Sequence, residues 1–384
     1  MNYLDKRDGN GLLLGYSAFE LANRISIYCF EKTKKTKVYN ILKQVFENDY
    51  LEIYFKKLYY EHAIPLAHKM VINDWKIKNK SNSRLHKINI KLFPVEKYLH
   101  DFLILNKINF ENKIDISVIK RKLYEFARII KFYLKKKKYK ILKKKKILEN
   151  SNESIGVSFS EGIHPDKRSD LFWLKNSSIE PNDVILYFDF HASLDKFEKK
   201  EDLLKKIKKF NVKTLRLWEW EDNSKVSFLE ELSTKLRKLS ISTKDERSLN
   251  KISLKLINKI KFWYLFFKKL NIKILLDHYE TGTENIAKQL ALHKLDGCSI
   301  GKLRSHIGEN SYDFLGFYPN DIFFVPSKDS ARRLVHHSFN KFQNVIINGF
   351  PFNLSTKNNE IEVNKIKKFF DENNKKFIVL LLDS

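Results

Sequence analysis

Past residue 154 the chain alternates short apolar runs with longer stretches of helical periodicity, a pattern few folds accept. The apolar runs are Val184–Phe188, Val212–Trp218, Ile272–Leu276, Ile322–Val325 and Val345–Ile347, with a shorter one at Cys298–Ile300. They have strand length and are apolar at both parities, so each needs cover on both faces. Helical stretches lie between most of them, at Lys199–Lys209, Phe228–Leu239, Ser248–Leu270, Glu284–Leu295 and Ser330–Phe339. Strands and helices alternating in this way predict an α/β fold with a mainly parallel sheet between helical layers.

Such a sheet dictates where chemistry is to be sought. Ligands of open α/β sheets bind beyond the carboxyl ends of the strands. The segments following the runs are Phe188-Asp-Phe-His191, Trp218-Glu-Trp-Glu-Asp222, Asp277-His-Tyr-Glu-Thr-Gly-Thr-Glu284, Gly301-Lys-Leu-Arg-Ser305, Pro326-Ser-Lys-Asp329 and Asn348-Gly-Phe-Pro351. They supply His191, Glu219, Glu221, His278 and Glu280 as bases, and Lys302, Arg304 and Lys328 as holders of anions, together with Arg168. Transfer from an activated, phosphorylated donor fits this mixture. A base takes the proton of an acceptor hydroxyl while cations neutralise the leaving phosphate.

His278 and Glu280 are the preferred catalytic pair. They directly follow a strand, and imidazole titrates near neutrality. The substrate-binding set is Arg168, Asp170, His191, Glu219, Arg304, Ser305 and Gly349. A plainer reading stands beside several of these. His278 fits a hydrogen-bonded structural histidine, Glu280 a helix N-terminal charge, the Arg168–Asp170 pair a pin for its own loop, and Gly349 a turn before Phe350-Pro351.

Residues 1–150 read as a basic, mostly helical region. Leu42, Val45, Phe46, Tyr50, Ile53, Tyr54 and Leu58 recur at helical spacing. Its last part, about 115–148, carries an apolar stripe through Ile116, Ile119, Leu123, Phe126 and Ile130 among Lys135–Lys138 and Lys143–Lys146. A basic amphipathic helix suits an anionic membrane surface, and a solvated helix rich in lysine is the competing reading. The segment Asn150–Ser154 reads as a linker. Residues 151–355 then form the α/β unit, and residues 356–384 a linker helix with a closing apolar strand, Phe377–Leu382.

The net charge of +27 favours polyanionic partners. The lysine run lacks interleaved aromatic stacking platforms, which counts against nucleic acid. Cys29 and Cys298 stand far apart, and no metal-ligand spacing is present, so a reducing compartment fits and a disulfide framework does not. No phosphate-binding G-x-x-x-x-G-K-[ST], no G-x-G-x-x-G after the first strand and no G-x-S-x-G elbow appears. The amino terminus lacks the apolar core of a signal peptide, and no apolar run reaches the roughly 20 residues of a membrane span. A cytoplasmic protein, peripheral at the inner membrane face, is expected.

One loop is unusually dense in ionisable groups. Glu161, His164, Asp166, Lys167, Arg168 and Asp170 crowd around Gly162 and Pro165, and Leu-Phe-Trp-Leu174 anchors the loop. The run EGIHPDKRSDLFWL followed by PNDVILYFD, then ILLDHYE, DGCSIGKLRS, YPNDIFFVPS and VIINGFP in order, resembles bacterial surface-polysaccharide biosynthesis proteins of the glycosyltransferase B type, in the group named for a Pro-Phe-Thr-Ser motif. The resemblance covers about 155–384. It implies two Rossmann-like domains facing a cleft. The first binds the glycan or lipid-linked acceptor, and the second a nucleotide-activated sugar, without a metal and with no separate cofactor. The second domain and its Pro-Phe-Thr-Ser motif are absent up to Ser384, so this chain is expected to be the acceptor-side half and not to catalyse transfer alone. A non-catalytic scaffold of the polysaccharide machinery and a basic nucleic-acid-binding protein are the competing functions.

Overall fold

The computed structural model describes residues 6–7, 11–81, 84–108, 152–159, 171, 173–174, 177–188, 205, 207–217, 220, 222–277, 282–302, 318–336 and 344–347. The basic stretch at 115–148 and the closing segment 356–384 lie outside them. Among the described residues no helix is long and apolar enough to cross a membrane.

The amino-terminal part contains α1 (Leu14–Thr33), α2 (Lys37–Lys43), α3 (Asn48–Lys78) and α4 (Glu96–Leu105). The helix α3 is apolar around most of its circumference and buries Leu51, Tyr54, Phe55, Tyr59, Tyr60, Ala63 and Ala67, so neighbours cover it on several sides. Ser26 of α1 donates its hydroxyl to the Lys56 carbonyl, and Thr33 meets the Tyr59 hydroxyl at 2.6 Å.

Among the described residues seven parallel strands follow in one sheet: β1 (Ser154–Ser158), β2 (Val184–Phe188), β3 (Lys213–Arg216), β4 (Ile272–Leu276), β5 (Cys298–Lys302), β6 (Ile322–Val325) and β7 (Asn344–Ile347). Their spatial order is β3-β2-β1-β4-β5-β6-β7. The chain thus builds outward from β1 to β3, crosses back over α5 (Ser227–Arg237) and α6 (Lys244–Lys269), and builds the other way from β4. The helices α7 (Thr283–His293) and α8 (Lys328–His336) connect β4 to β5 and β6 to β7. The order reverses between β1 and β4, which makes that crevice the topological switch point of a Rossmann-like sheet.

Alternation along β2 assigns the two faces. Ile185 and Tyr187 join Trp263, Phe266, Ile272, Leu275, Ile286 and Leu290 in one large core. Val184, Leu186 and Phe188 join Val157, Leu171, Leu174 and Ile207 in a smaller core on the opposite face. The larger core is continuous with Phe30, Tyr39, Phe55, Tyr59 and Leu99, so the amino-terminal helices form an outer layer on α6 and α7.

The boundary between the two parts carries polar ties as well. The helix α6 starts at a side-chain N-cap: the Thr243 hydroxyl accepts from the Glu246 amide at 3.1 Å. Between cap and Glu246, Asp245 reaches the other way and accepts from the Lys97 and Tyr98 amides in the first turn of α4, at 3.3 and 3.2 Å. A carboxylate at those otherwise unbonded amides is favoured by both hydrogen bonding and the helix dipole. Lys244 pairs with Glu96 at 2.6 Å beside it.

Three expected strands, Val184–Phe188, Ile272–Leu276 and Ile322–Val325, coincide with β2, β4 and β6. The linker expected at Asn150–Ser154 is corrected: Ser154 opens β1, a central strand, so β2 is the second strand and not the first. Only Ile155 and Val157 are apolar there, because the other parity needs small residues. A Cβ on Gly156 would meet Ile272 at 3.0 and 3.1 Å, tighter than ordinary contact. The β3 strand is shorter than Val212–Trp218, ending at Arg216. The helix α6 begins at Lys244 instead of Ser248, since the Thr243 cap recruits four charged and polar residues that apolar periodicity does not mark.

Candidate functional site

The switch point is lined on its larger-core side by a buried polar group. At the end of β4, the Asp277 amide donates to the Ile300 carbonyl at 3.2 Å, extending the strand's pairing by one residue. Its carboxylate accepts from Lys288 Nζ of α7 at 2.7 Å, and the two side chains are 5% and 2% exposed. So little exposure removes water as a competitor, and the pair must supply its own compensation. Aromatic faces supply part of it: the ammonium lies 4.8 Å from the Trp263 ring centre and 5.8 Å from that of Tyr187.

A second tie lies one turn earlier on α7. Glu284 accepts from the Trp263 indole N–H at 2.7 Å and pairs with Lys259 of α6. Burial alone would raise the Glu284 carboxyl, but the Lys259 charge and the hydrogen bonds from Lys259 and Trp263 hold it below the usual carboxylate range. The polar chain continues into the amino-terminal layer. Burial pushes the Glu61 carboxyl of α3 up, against the pull of Lys57 and Lys259. Lys57 itself is fully buried.

Register adds Ser158 to this group. Ser158 pairs with Tyr187, and Val157 pairs with Leu276, the residue before Asp277. Tyr187, Ser158 and Asp277 therefore sit side by side across β2, β1 and β4. The Ser158 hydroxyl is fully buried and meets no hydrogen-bond partner among the described residues.

The electrostatics limit what this end of α7 can do. A free helix N-terminus attracts phosphate, but the first turn of α7 already holds Glu284, with Asp277 close by on β4. An anionic substrate group is therefore better received at another strand end. Among the described residues no group of three or more His, Cys, Asp or Glu side chains is arranged to hold a metal ion.

The nine residues expected to form the site, His278, Glu280, Arg168, Asp170, His191, Glu219, Arg304, Ser305 and Gly349, all lie outside the described residues. The strands that lead into them are described and share one direction: β1 leads to Arg168 and Asp170, β2 to His191, β3 to Glu219, β4 to His278 and Glu280, β5 to Arg304 and Ser305, and β7 to Gly349. Lys302 closes β5 with its Nζ buried, a poor setting for an open anion holder. Lys328 opens α8.

Sequence reasoning passed over Lys288, which looked like one more lysine of a basic chain. Its signal was position: Lys288-Gln289 interrupts the apolar run Ile286-Ala287 and Leu290-Ala291-Leu292. Gln289 belongs to a different network, at the amino ends of β5 and β6. There Asp321 accepts from the Ser299 amide at 2.8 Å, from Gln289 at 2.7 Å and from His293 Nε2 at 2.9 Å. The other imidazole nitrogen lies 3.1 Å from both Glu47 oxygens, and Tyr50 stacks edge-on at 5.3 Å. Burial would lower the His293 pKa, but hydrogen bonds to Asp321 and Glu47, with their charges, raise it from 6.5 to about 9. Asp321 is held below the usual range by the same contacts, against burial.

These shifts set a pH dependence. The raised histidine contributes stability in full below its unfolded value of about 6.5, and that contribution disappears as pH rises through about 9. The depressed Asp321 works in the other direction, losing its contribution as pH falls through its lowered pKa. With Glu47 half-exposed, the histidine part is on the order of 2 kcal/mol. Urea midpoints of wild type and His293→Gln at pH 6 and pH 9.5 should differ much more at the lower pH. An equal gap at both values would refute the linkage.

Together these features define the class: an α/β protein with an all-parallel, Rossmann-like sheet and a helical layer fused to its larger core. No family model, curated protein or solved structure matches the chain.

Proposed function

We propose that the chain is a glycosyltransferase-type protein of surface-polysaccharide biosynthesis. As the acceptor-side half of such an enzyme, it takes part in moving a sugar or polyol phosphate from a nucleotide-activated donor to a glycan or lipid-linked acceptor. The observation that supports this reading most is the reversal of strand order between β1 and β4, with β4 leading straight into His278-Tyr-Glu280. A crevice of that kind is where doubly wound sheets bind their ligands. The ordered motifs from Glu161 to Pro351 add the resemblance to sugar transfer. In the reaction His278, supported by Glu280, takes the acceptor hydroxyl proton. The acceptor oxygen bonds to the donor's reacting carbon or phosphorus, and the nucleotide leaves with the electron pair of the broken bond. Arg168 and Arg304 neutralise its charge.

Contact with the inner face of the cytoplasmic membrane, through the lysine-rich stretch at 131–146, places the protein beside lipid-linked acceptors in this reading. The test uses the protein as its gene encodes it, with a panel of nucleotide-activated sugars and polyols. Transfer or donor hydrolysis is expected, and His278→Ala should lower kcat roughly 100-fold or more, the usual contribution of a general base. Unchanged rates in both His278→Ala and Glu280→Ala would remove the site. No binding of any member of the panel would remove the function.

A further inference from the structure

We propose that the tip of the amino-terminal layer, formed by the last turn of α3 with residues 79–81 and 84–87, docks on a lipid bilayer rich in anionic headgroups. The inference rests on the peripheral placement proposed above and deepens it, and it does not depend on the transfer chemistry. Residues 69–91 carry seven Lys or Arg against one acid, Asp74. The whole chain has 73 against 46, so this stretch is far more basic than its background. Asp74 is itself paired with Lys78 at 2.7 Å. Two apolar side chains stand exposed among the cations, Ile77 at 55% and Leu85 at 45%.

The fold accounts for this surface facing outward. The helix α3 closes with the Ser81 amide on the Lys76 carbonyl at 2.9 Å and the Lys80 amide on the Ile77 carbonyl at 3.1 Å, Lys80 taking a left-handed φ of 48°. The chain then returns beside α3, whose side chains grip it by its main chain. Asn73 bonds both ways with His86, donating to its carbonyl at 2.8 Å and accepting from its amide at 2.7 Å. Lys76 Nζ donates to the Arg84 carbonyl at 2.8 Å, and Lys69 Nζ to the Lys87 carbonyl at 3.2 Å. The fold thus uses the main chain of 84–87 and leaves these residues exposed. Ile77 and Leu85 each follow a partner of the Lys76–Arg84 bond, so they flank one contact. The grip also crowds the cations: burial, then the Lys76 and Lys69 charges, hold His86 below its ordinary 6.5. Like charges crowded in this way repel, and an anionic bilayer relieves them, by roughly fivefold in affinity for each Lys or Arg at the surface. The apolar pair decides between lipid and nucleic acid. Aliphatic side chains gain by entering the acyl boundary but give bases no face on which to stack.

Flotation of the full chain with vesicles tests this. Phosphatidylcholine vesicles with about one-third phosphatidylglycerol should carry the protein, and phosphatidylcholine alone should not. Arg84→Gln/Lys87→Gln should weaken partitioning by roughly tenfold or more, and Ile77→Ser/Leu85→Ser by about tenfold. All four residues are exposed, so the urea midpoints of both variants should stay at the wild-type value. Wild-type partitioning in both variants would overturn the inference. If binding is then lost when Lys135, Lys136, Lys137 and Lys138 are replaced by Gln, the peripheral placement survives without it. Failure of the wild-type chain to bind anionic vesicles would remove both. A loss in the charge variant alone, repeated on duplex DNA, would make the surface a general polyanion binder and overturn the lipid assignment.

Discussion

Asp277→Ala should destabilise the fold by about 3–5 kcal/mol, the usual cost of breaking a buried ion pair by removing one partner. The Lys288 ammonium, 2% exposed, would lose the carboxylate it meets at 2.7 Å. The Trp263 and Tyr187 faces offset only a part, about 2 kcal/mol for a desolvated cation at best. The double substitution Asp277→Asn/Lys288→Met should bring the loss back to within about 1.5 kcal/mol, because both charges leave together. Urea unfolding followed by tryptophan fluorescence measures both. A loss under about 1 kcal/mol in Asp277→Ala would mean that the buried pair adds little to the stability of the fold.

The second large effect concerns the amino-terminal layer. A chain starting at residue 152, without α1–α4, should fail to unfold cooperatively and should bind hydrophobic dyes. Removing the layer uncovers the α6 and α7 faces of the larger core and opens three polar ties at once: Asp245 with the Lys97 and Tyr98 amides, Lys244 with Glu96, and His293 with Glu47. Each uncovered Leu, Ile or aromatic side chain costs about 1.5–3 kcal/mol on the transfer scale, so a handful exceeds the 5–15 kcal/mol stability of an ordinary domain. A shortened chain with a sharp two-state transition would show instead that the sheet keeps its core without that layer.

The alternation of apolar runs and helical stretches was enough to find most of this sheet. Strands β2, β4 and β6 could be read to the residue because each is apolar at both parities, the mark of burial on two faces. The central strand escaped because its parity facing the larger core is Ser154, Gly156 and Ser158: close packing of Ile272 against Gly156 excludes the bulky side chains by which strands are recognised. With β1 at Ser154–Ser158, the Glu161–Asp170 run follows the central strand in the chain. The buried pair at the end of β4 was legible only in part. Asp277 stood at a strand end where chemistry was sought, whereas Lys288 hid in a helix of a lysine-rich chain. Contacts such as Glu47 with His293 join residues 246 positions apart, and no local pattern encodes them.

The place of β1 also governs the order in which the molecule can be made. Its first neighbour, β2, emerges from the ribosome soon after it, but its other neighbour, β4, follows only about 120 residues later, a long-range pairing of the kind that slows folding. Until β4 arrives, one edge of the central strand stands open, and the aromatic side of α6 has only the earlier half of the sheet and the amino-terminal helices to rest on. Nascent chains that stop short of β4 therefore present an unpaired strand edge beside Trp263 and Phe266, the kind of species that chaperones bind. The amino-terminal helices, translated first, are then more than an outer layer: they are a ready-made surface on which α6 docks before the sheet is closed.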